Sequence, residues 1–116
     1  MAIISGVGAS GSVGPTSGGK TTAVNNLGAA NQQVIAQNVN RVQITFHNPG
    51  TVDVLVAMAR DVNGAAIAPT FSSRGGGFVI FANGGEKTFS GECQLAWTGC
   101  AVSGSTNALT IVESNN

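Results

Sequence analysis

Apolar and polar residues alternate along residues 41–58, and this pattern predicts two β-strands. Every second residue of the first segment is apolar, which is the period of a strand with one buried face and one solvated face. The apolar face comprises Val42, Ile44 and Phe46, and the polar face comprises Arg41, Gln43, Thr45 and His47. Residues 52–58 alternate in the same way. There, Leu55 and Ala57 on the second face indicate a strand that is covered more fully than its partner.

The segment between these strands has the composition of a tight turn. In Asn48-Pro49-Gly50-Thr51, proline fixes φ at the second position and glycine accepts the positive φ that a type II turn requires at the third. The density of β-branched residues disfavours a helix here. We therefore predict an antiparallel hairpin over residues 41–58, at the centre of a β-sandwich.

The rest of the chain continues the pattern of short strands and turns. Asn63-Gly64 and Asn83-Gly84-Gly85 are strong turn signals, the latter of the hairpin type. Further strands are predicted over residues 32–37, 65–68 (at an edge), 78–81, 87–90, 92–102 and 108–113. About eight short strands with turns every 8–12 residues are typical of an all-β sandwich or barrel. The prediction is a single antiparallel β-sandwich domain over residues 31–116.

Residues 1–30 consist mainly of glycine, serine, alanine, threonine and asparagine, with few large side chains. Such a composition cannot bury enough apolar surface to offset the entropy lost on ordering. We therefore predict an extended Gly/Ser-rich N-terminal arm over residues 1–30. We expect a partner chain to hold it, because extended segments bind by adding backbone hydrogen bonds to an exposed sheet edge.

Composition narrows the classes of partner. Only 9% of the 116 residues are charged, against about 25% in typical domains, and the formal net charge is zero. The five basic residues are dispersed, so no electrostatic footprint for nucleic acid or anionic lipid is present. A surface with so few charges protects poorly against self-association. We expect much of this surface to contact protein.

No targeting or membrane segment is predicted. Residues 1–4 lack the basic region of a signal peptide, and Gly6 and Gly8 interrupt any apolar stretch of the required length. No run approaches the roughly 18 apolar residues of a membrane span. We expect the chain to be made and used in a cytoplasm, or in a particle assembled there.

One motif suggests nucleotide chemistry. Residues 14–21, GPTSGGKT, match the pattern G-x-x-x-x-G-K-[ST] of the phosphate-binding P-loop. A functional P-loop needs a buried strand before it and a helix after it, whose N-terminus faces the phosphates. Residues 3–13 carry three glycines, and residues 22–28 are poor helix formers. We interpret the match as a coincidence of composition.

Other candidate catalytic residues are isolated. His47 is the one histidine and lies on the predicted polar face, where a surface role is expected. The carboxylates lack the paired spacing that acid–base catalysis requires, and they are Asp53, Asp61, Glu86, Glu92 and Glu113. Trp97 is interpreted as a core residue. No catalytic, cofactor-binding or metal-binding residues are predicted.

The two cysteines, Cys93 and Cys100, do not suggest a metal site, because structural zinc needs four ligands. On a single strand over residues 92–102 the two would point to opposite faces, about 23 Å apart at roughly 3.3 Å per residue. That separation exceeds the ~7 Å limit between bridged Cα atoms. Both are predicted to be reduced and half-buried.

The order of these features resembles the small all-β head decoration (cement) proteins of tailed bacteriophages. The likeness covers roughly residues 33–114. It lies in VQITFHNPGTVDVLV (42–56), the glycine-triplet loop before FVIFANGGEKTF (78–89), QLAWTGCAV (94–102) and ALTIVES (108–114).

The resemblance implies a jelly-roll-like sandwich on the surface of a virion capsid, assembled in the host cytoplasm. It implies a small homo-oligomer, a dimer or trimer, that binds across neighbouring subunits of the major capsid protein and stabilises the head shell. It brings no catalytic residues and no cofactor. A phage tail or fibre module with a structural or receptor-binding role is the alternative, and a P-loop nucleotide-binding protein is the third possibility.

Overall fold

The computed structural model describes residues 18–58, 77–91 and 93–116, and these residues form eight β-strands. In chain order the strands are β1 (Gly18–Leu27), β2 (Gln32–Ile35), β3 (Arg41–Asn48), β4 (Val54–Met58), β5 (Phe78–Ile80), β6 (Gly85–Ser90), β7 (Trp97–Ala101) and β8 (Asn107–Asn115).

The strands form two four-stranded antiparallel sheets, one in the order β1-β8-β3-β6 and the other in the order β2-β7-β4-β5. Consecutive strands alternate between the two sheets, except that β4 and β5 are neighbours in one sheet. This is the strand order of a jelly roll, a double-sheet sandwich built from two Greek keys. The predicted all-β sandwich of jelly-roll type is confirmed.

The core lies between the sheets and is formed by alternate residues of each strand. Phe46 and Trp97 face each other across it, with ring centroids 5.0 Å apart, and both are almost fully buried. Phe89 packs on Trp97 at 4.9 Å. The cluster also includes Leu27, Val34, Ile44, Val54, Val56, Ile80, Cys93, Ala101, Leu109 and Ile111. The prediction of Trp97 as a core residue is therefore correct.

The second sheet is buried on both faces at its centre. Leu55 and Ala57 lie on the face of β4 opposite the core, and neither has accessible surface. On the adjacent strand β7, Cys100 is paired with Leu55 and is also buried. The prediction that this strand is covered more fully than its partner is confirmed.

The predicted hairpin over residues 41–58 is wrong. β3 pairs with β8 and β6, whereas β4 pairs with β7 and β5, so the connection at Pro49–Gly50 crosses from one sheet to the other. The turn at Asn83–Gly84 likewise joins β5 in one sheet to β6 in the other. Turn residues reverse the chain locally but do not determine whether the strands they join will pair.

The side chain of Asn48 accounts for the crossing at the end of β3. It is fully buried, and its Nδ2 donates hydrogen bonds to the carbonyl oxygens of Val52 at 2.8 Å and Ile80 at 3.0 Å. Its Oδ1 accepts from the backbone N–H of Gly50 at 3.0 Å. A buried amide is stable only with such partners. Asn48 therefore fastens the β3–β4 connection to the end of β5 in the opposite sheet.

The predicted N-terminal arm is wrong for the residues of it that the structure describes. Residues 18–27 form β1, which pairs with β8 from Gly18–Asn115 to Leu27–Asn107. Leu27 has no accessible surface and belongs to the core. The small residues of β1 bury little area themselves but gain ladder hydrogen bonds from β8. Residues 1–17 of the predicted arm lie outside the described residues.

Two other predicted strands also differ. The strand predicted over residues 92–102 is shorter, because β7 begins at Trp97 and Cys93 lies in the preceding loop. The edge strand predicted over residues 65–68 lies outside the described residues.

Membership of β1 in the sandwich can be tested by substitution. Leu27→Ala is expected to lower the free energy of unfolding by about 2–5 kcal/mol, because it leaves a cavity in the core. Asn25→Ala, at an exposed position of the same strand, should change it by less than about 0.5 kcal/mol. Urea denaturation measures both. Equal and small effects would show that residues 18–27 are an arm after all.

Candidate functional site

A polar groove opens on one side of the sandwich, between strands β1 and β2. These are the outermost strands of their sheets on that side, and within the described residues neither has a partner along its outer edge. The groove has a volume of about 420 Å³. It is lined by Lys20, Thr22, Gln33, Val34, Ile35, Ala36, Gln37, Asn38 and Glu113.

A buried ion pair lies at the floor of this groove. Arg41 Nε donates to Glu113 Oε2 at 2.7 Å, and the two side chains are 0% and 4% exposed. Asn38 Nδ2 donates to the same oxygen at 3.1 Å and to Asn115 Oδ1 at 2.8 Å. Removing a carboxylate from water is costly unless its oxygens receive such hydrogen bonds.

The guanidinium of Arg41 also donates hydrogen bonds to two loops. Its Nη1 donates to the carbonyl oxygens of Cys93 at 2.8 Å and Leu95 at 3.1 Å, and its Nη2 donates to that of Ala36 at 2.8 Å. Arg41 thereby connects β3 and β8 of one sheet to the loops that flank β2 and β7 of the other. The fixed fork of donors on arginine suits this role.

A β-bulge turns Arg41 inward. The register with β8 shifts between Arg41 and Gln43, so one extra residue is inserted there and the alternation reverses. The prediction that Arg41 lies on the wet face and Val42 in the core is therefore wrong. Arg41 has no accessible surface, whereas Val42 is 41% exposed.

The electrostatics of the groove favour an ionised Glu113. Burial raises the pKa of this carboxyl, but the hydrogen bonds from Asn38 and Arg41, together with the charges of Arg41 and Lys20, outweigh it. The pKa of Glu113 consequently lies below its ordinary value. Glu113 is therefore not the isolated carboxylate that the sequence suggested, because it is 3% exposed and part of a buried network.

The P-loop motif lacks the required geometry in its described part. Gly18–Thr21 are extended in β1, and residues 22–27 continue the same antiparallel strand instead of starting a helix. Lys20 is paired in register with Glu113 on β8. The interpretation of the match as a coincidence is supported by this strand; residues 14–17 lie outside the described residues.

The other candidate residues do not converge on the groove. His47 is on the outer face of β3, half-buried, with Nδ1 at 3.1 Å from Glu86 Oε2. Asp53 accepts a hydrogen bond from the backbone N–H of Ala82 at 2.9 Å. Asp61 and Glu92 lie outside the described residues. Within residues 18–58, 77–91 and 93–116, no three His, Cys, Asp or Glu side chains are grouped as metal ligands would be.

Both cysteines carry reduced thiols and are buried, more deeply than predicted. Burial raises the pKa of the Cys93 thiol, an effect that the charge of Arg41 opposes and that of Glu113 reinforces. Burial also raises the pKa of the Cys100 thiol. Thiols in such surroundings are poor nucleophiles.

No stretch of the described residues forms a helix with the length and hydropathy needed to cross a bilayer.

Comparisons with known proteins give similarity of fold but no family. No protein-family model and no curated protein matches the chain. Among solved structures, a chain of the disulfide-linked pili of Bacillus endospore appendages is similar over 97% of this chain and 98% of its own length. The TM-score is 0.51 and the sequence identity 13%, which shows a shared fold alone.

A second solved structure, dTDP-4-dehydrorhamnose 3,5-epimerase from Bacillus anthracis, is similar over 85% of this chain and 52% of its own length. Its TM-score is 0.44 and its identity 7%, too low to indicate a common fold or activity.

The buried ion pair predicts a specific loss of stability. Glu113→Gln should lower the free energy of unfolding by about 3–5 kcal/mol at neutral pH, because it leaves the charge of Arg41 buried without its counter-ion. Glu86→Gln, at an exposed carboxylate, is the matched control and should have little effect. A double variant with leucine at positions 41 and 113 should recover much of the loss. Similar stabilities of the two glutamine variants would contradict the role of the pair.

The same pair predicts the dependence of stability on pH. Because the pKa of Glu113 is lower in the folded chain, its contribution is complete above the ordinary value of 4.5 and is lost as the pH falls through the folded pKa. Thermal melts over this acidic range should therefore show a steeper decline for the natural chain than for Glu113→Gln. Parallel curves would exclude Glu113 as the titrating group.

Lys20→Ala tests whether Lys20 is a phosphate-binding P-loop lysine or a residue whose charge helps to keep Glu113 ionised. Nucleotide affinity measured by calorimetry should be absent before and after the change. The acid unfolding midpoint should instead move to higher pH, because the charge of Lys20 helps to keep Glu113 ionised. ATP binding that the substitution abolishes would reinstate the P-loop.

Proposed function

We propose that this protein is a non-enzymatic structural subunit, which associates with neighbouring protein subunits through the open side of its sandwich. The observation that carries the proposal is that β1 and β2 flank one groove and, within the described residues, have no partner along their outer edges. An unpaired edge exposes a row of backbone donors and acceptors to which another strand can be added.

The residues at this edge do little to prevent such pairing. Natural edge strands are usually protected by several charges, by proline or by a covering loop. The described part of β1 and β2 carries one charged residue, Lys20, and no proline. The exposed side chains of Gln33 and Gln37 are uncharged and can donate and accept hydrogen bonds. This edge therefore suits a protein partner.

In its more specific form, the proposal is a capsid decoration protein of a tailed phage. The sequence resemblance supports this form, as do the jelly-roll topology and the low charge of the chain. The partners would be the major capsid protein and further copies of this chain. The place of action would be the surface of the virion.

A fibre subunit is the second candidate. The whole-length similarity in fold to a chain of disulfide-linked pili supports it. Covalent linkage of the same kind is not proposed, because both cysteines of this sequence are buried in the sandwich. A fibre of this chain would be held together by strand pairing and side-chain contacts.

Edge substitutions test the proposal directly. Lysine at both Gln33 and Gln37 should weaken association at least about tenfold, because charges on an edge strand repel a second strand. Ser105→Lys adds the same kind of charge to an exposed loop between β7 and β8 and should leave association unchanged. Analytical ultracentrifugation measures the oligomeric state, and circular dichroism checks that the variants are folded.

Electron microscopy of the purified chain then distinguishes the candidates. Filaments formed by the chain alone would support the fibre subunit. A small closed oligomer that binds phage heads, and whose removal makes the heads less stable, would support the decoration protein. A monomer at all concentrations that binds no shell would refute both.

A further inference from the structure

The tip of the β5–β6 connection carries a chemically reactive pair, Asn83 and Gly84. In an Asn-Gly sequence the backbone nitrogen of the glycine can attack Cγ of the asparagine side chain, since glycine has no side chain to obstruct the approach. The new N–Cγ bond closes a five-membered succinimide, and the side-chain amide leaves as ammonia. Water then opens the ring to give aspartate or isoaspartate, without any oxidant or reductant.

In the folded chain the attacking nitrogen, that of Gly84, already donates a hydrogen bond. The backbone N–H of Gly84 donates a hydrogen bond of 2.7 Å to the carbonyl oxygen of Asn48. The backbone N–H of Asn83 donates another of 2.7 Å to the carbonyl oxygen of Gly50. Attack requires Gly84 N to give up its proton and turn toward the Asn83 side chain. Both bonds therefore oppose the reaction.

The acceptors of these bonds are themselves fixed in place. Asn48 has no accessible surface, and its side chain bonds Val52, Ile80 and Gly50. The turn conformation is also unusual: φ is 63° at Asn83 and 98° at Gly84, both in the left-handed region. Backbone rotation out of this conformation would break the two hydrogen bonds together.

We propose that Asn83–Gly84 is a latent deamidation site, which the fold keeps unreactive until the β3–β4 and β5–β6 connections separate. Reaction then makes the opening permanent. Isoaspartate adds a methylene group to the backbone and an anion beside it, so the tip no longer fits onto Asn48 and Gly50. The modification marks subunits that have opened at this end of the sandwich, whether or not the chain has the structural role proposed above.

The test compares folded and unfolded full-length protein at mildly alkaline pH. Peptide mapping by mass spectrometry follows the conversion of Asn83 to aspartate and isoaspartate over time. Conversion in the folded protein should be more than about tenfold slower than in concentrated urea, because it proceeds through local opening. The second pair, Asn63–Gly64, is an internal reference and should react at a similar rate to Asn83 in urea. Equal rates for Asn83 with and without urea would overturn the proposal.

A variant identifies the contact responsible. Asn48→Asp keeps an oxygen acceptor but loses both N–H donors, so it should loosen the connection and accelerate deamidation of Asn83 in the folded chain. Asn25→Asp, at an exposed position of β1, is the matched control and should leave the rate unchanged. An unchanged rate in a folded Asn48→Asp variant would show that the side chain of Asn48 does not restrain the deamidation of Asn83. Should that variant not fold, the comparison with and without urea still decides the main proposal.

Discussion

Strand β3 begins and ends with a buried polar side chain, and the sandwich depends on satisfying both. At one end Arg41 bonds Glu113 and the carbonyl oxygens of two loops. At the other end the side chain of Asn48 forms hydrogen bonds within the β3–β4 connection, to Gly50 and Val52, and with Ile80 at the end of β5. Each residue joins one sheet to the other, so the two sheets are fastened at both ends of a central strand. Unsatisfied polar groups in these positions would cost several kcal/mol each.

Among the described residues, one side of the sandwich has backbone groups available for contacts. Arg41 holds the loops that flank β2 and β7, and Asn48 holds the β3–β4 connection. Leu55 and Ala57 are buried on the face of β4 opposite the core. On the β1–β2 side, the outer edges have no partner within the described residues, and they flank a groove whose charged lining residues are Lys20 and Glu113. The proposed structural role rests on the backbone of these edges.

Part of the fold could be predicted from the sequence. The positions of β3, β4 and β8 follow from period-two alternation, which reflects a local property of strands. Burial of Leu55 and Ala57 followed from the apolar residues on the second face of β4. The groove could not be predicted, because its residues come from β1, β2 and β8, and β1 has a composition that elsewhere indicates disorder. Its pairing with β8 spans most of the chain.

The sequence by itself determined the all-β class, the turn positions and the absence of a strongly charged surface, because each depends on local pattern or composition. Only the tertiary structure decided which strands pair. Asn48-Pro49-Gly50 and Asn83-Gly84 both reverse the chain, yet each joins strands in different sheets. The inward position of Arg41 was likewise decided by a bulge in the register with β8. A one-residue shift reverses every side chain beyond it, and long-range contacts alone select that shift.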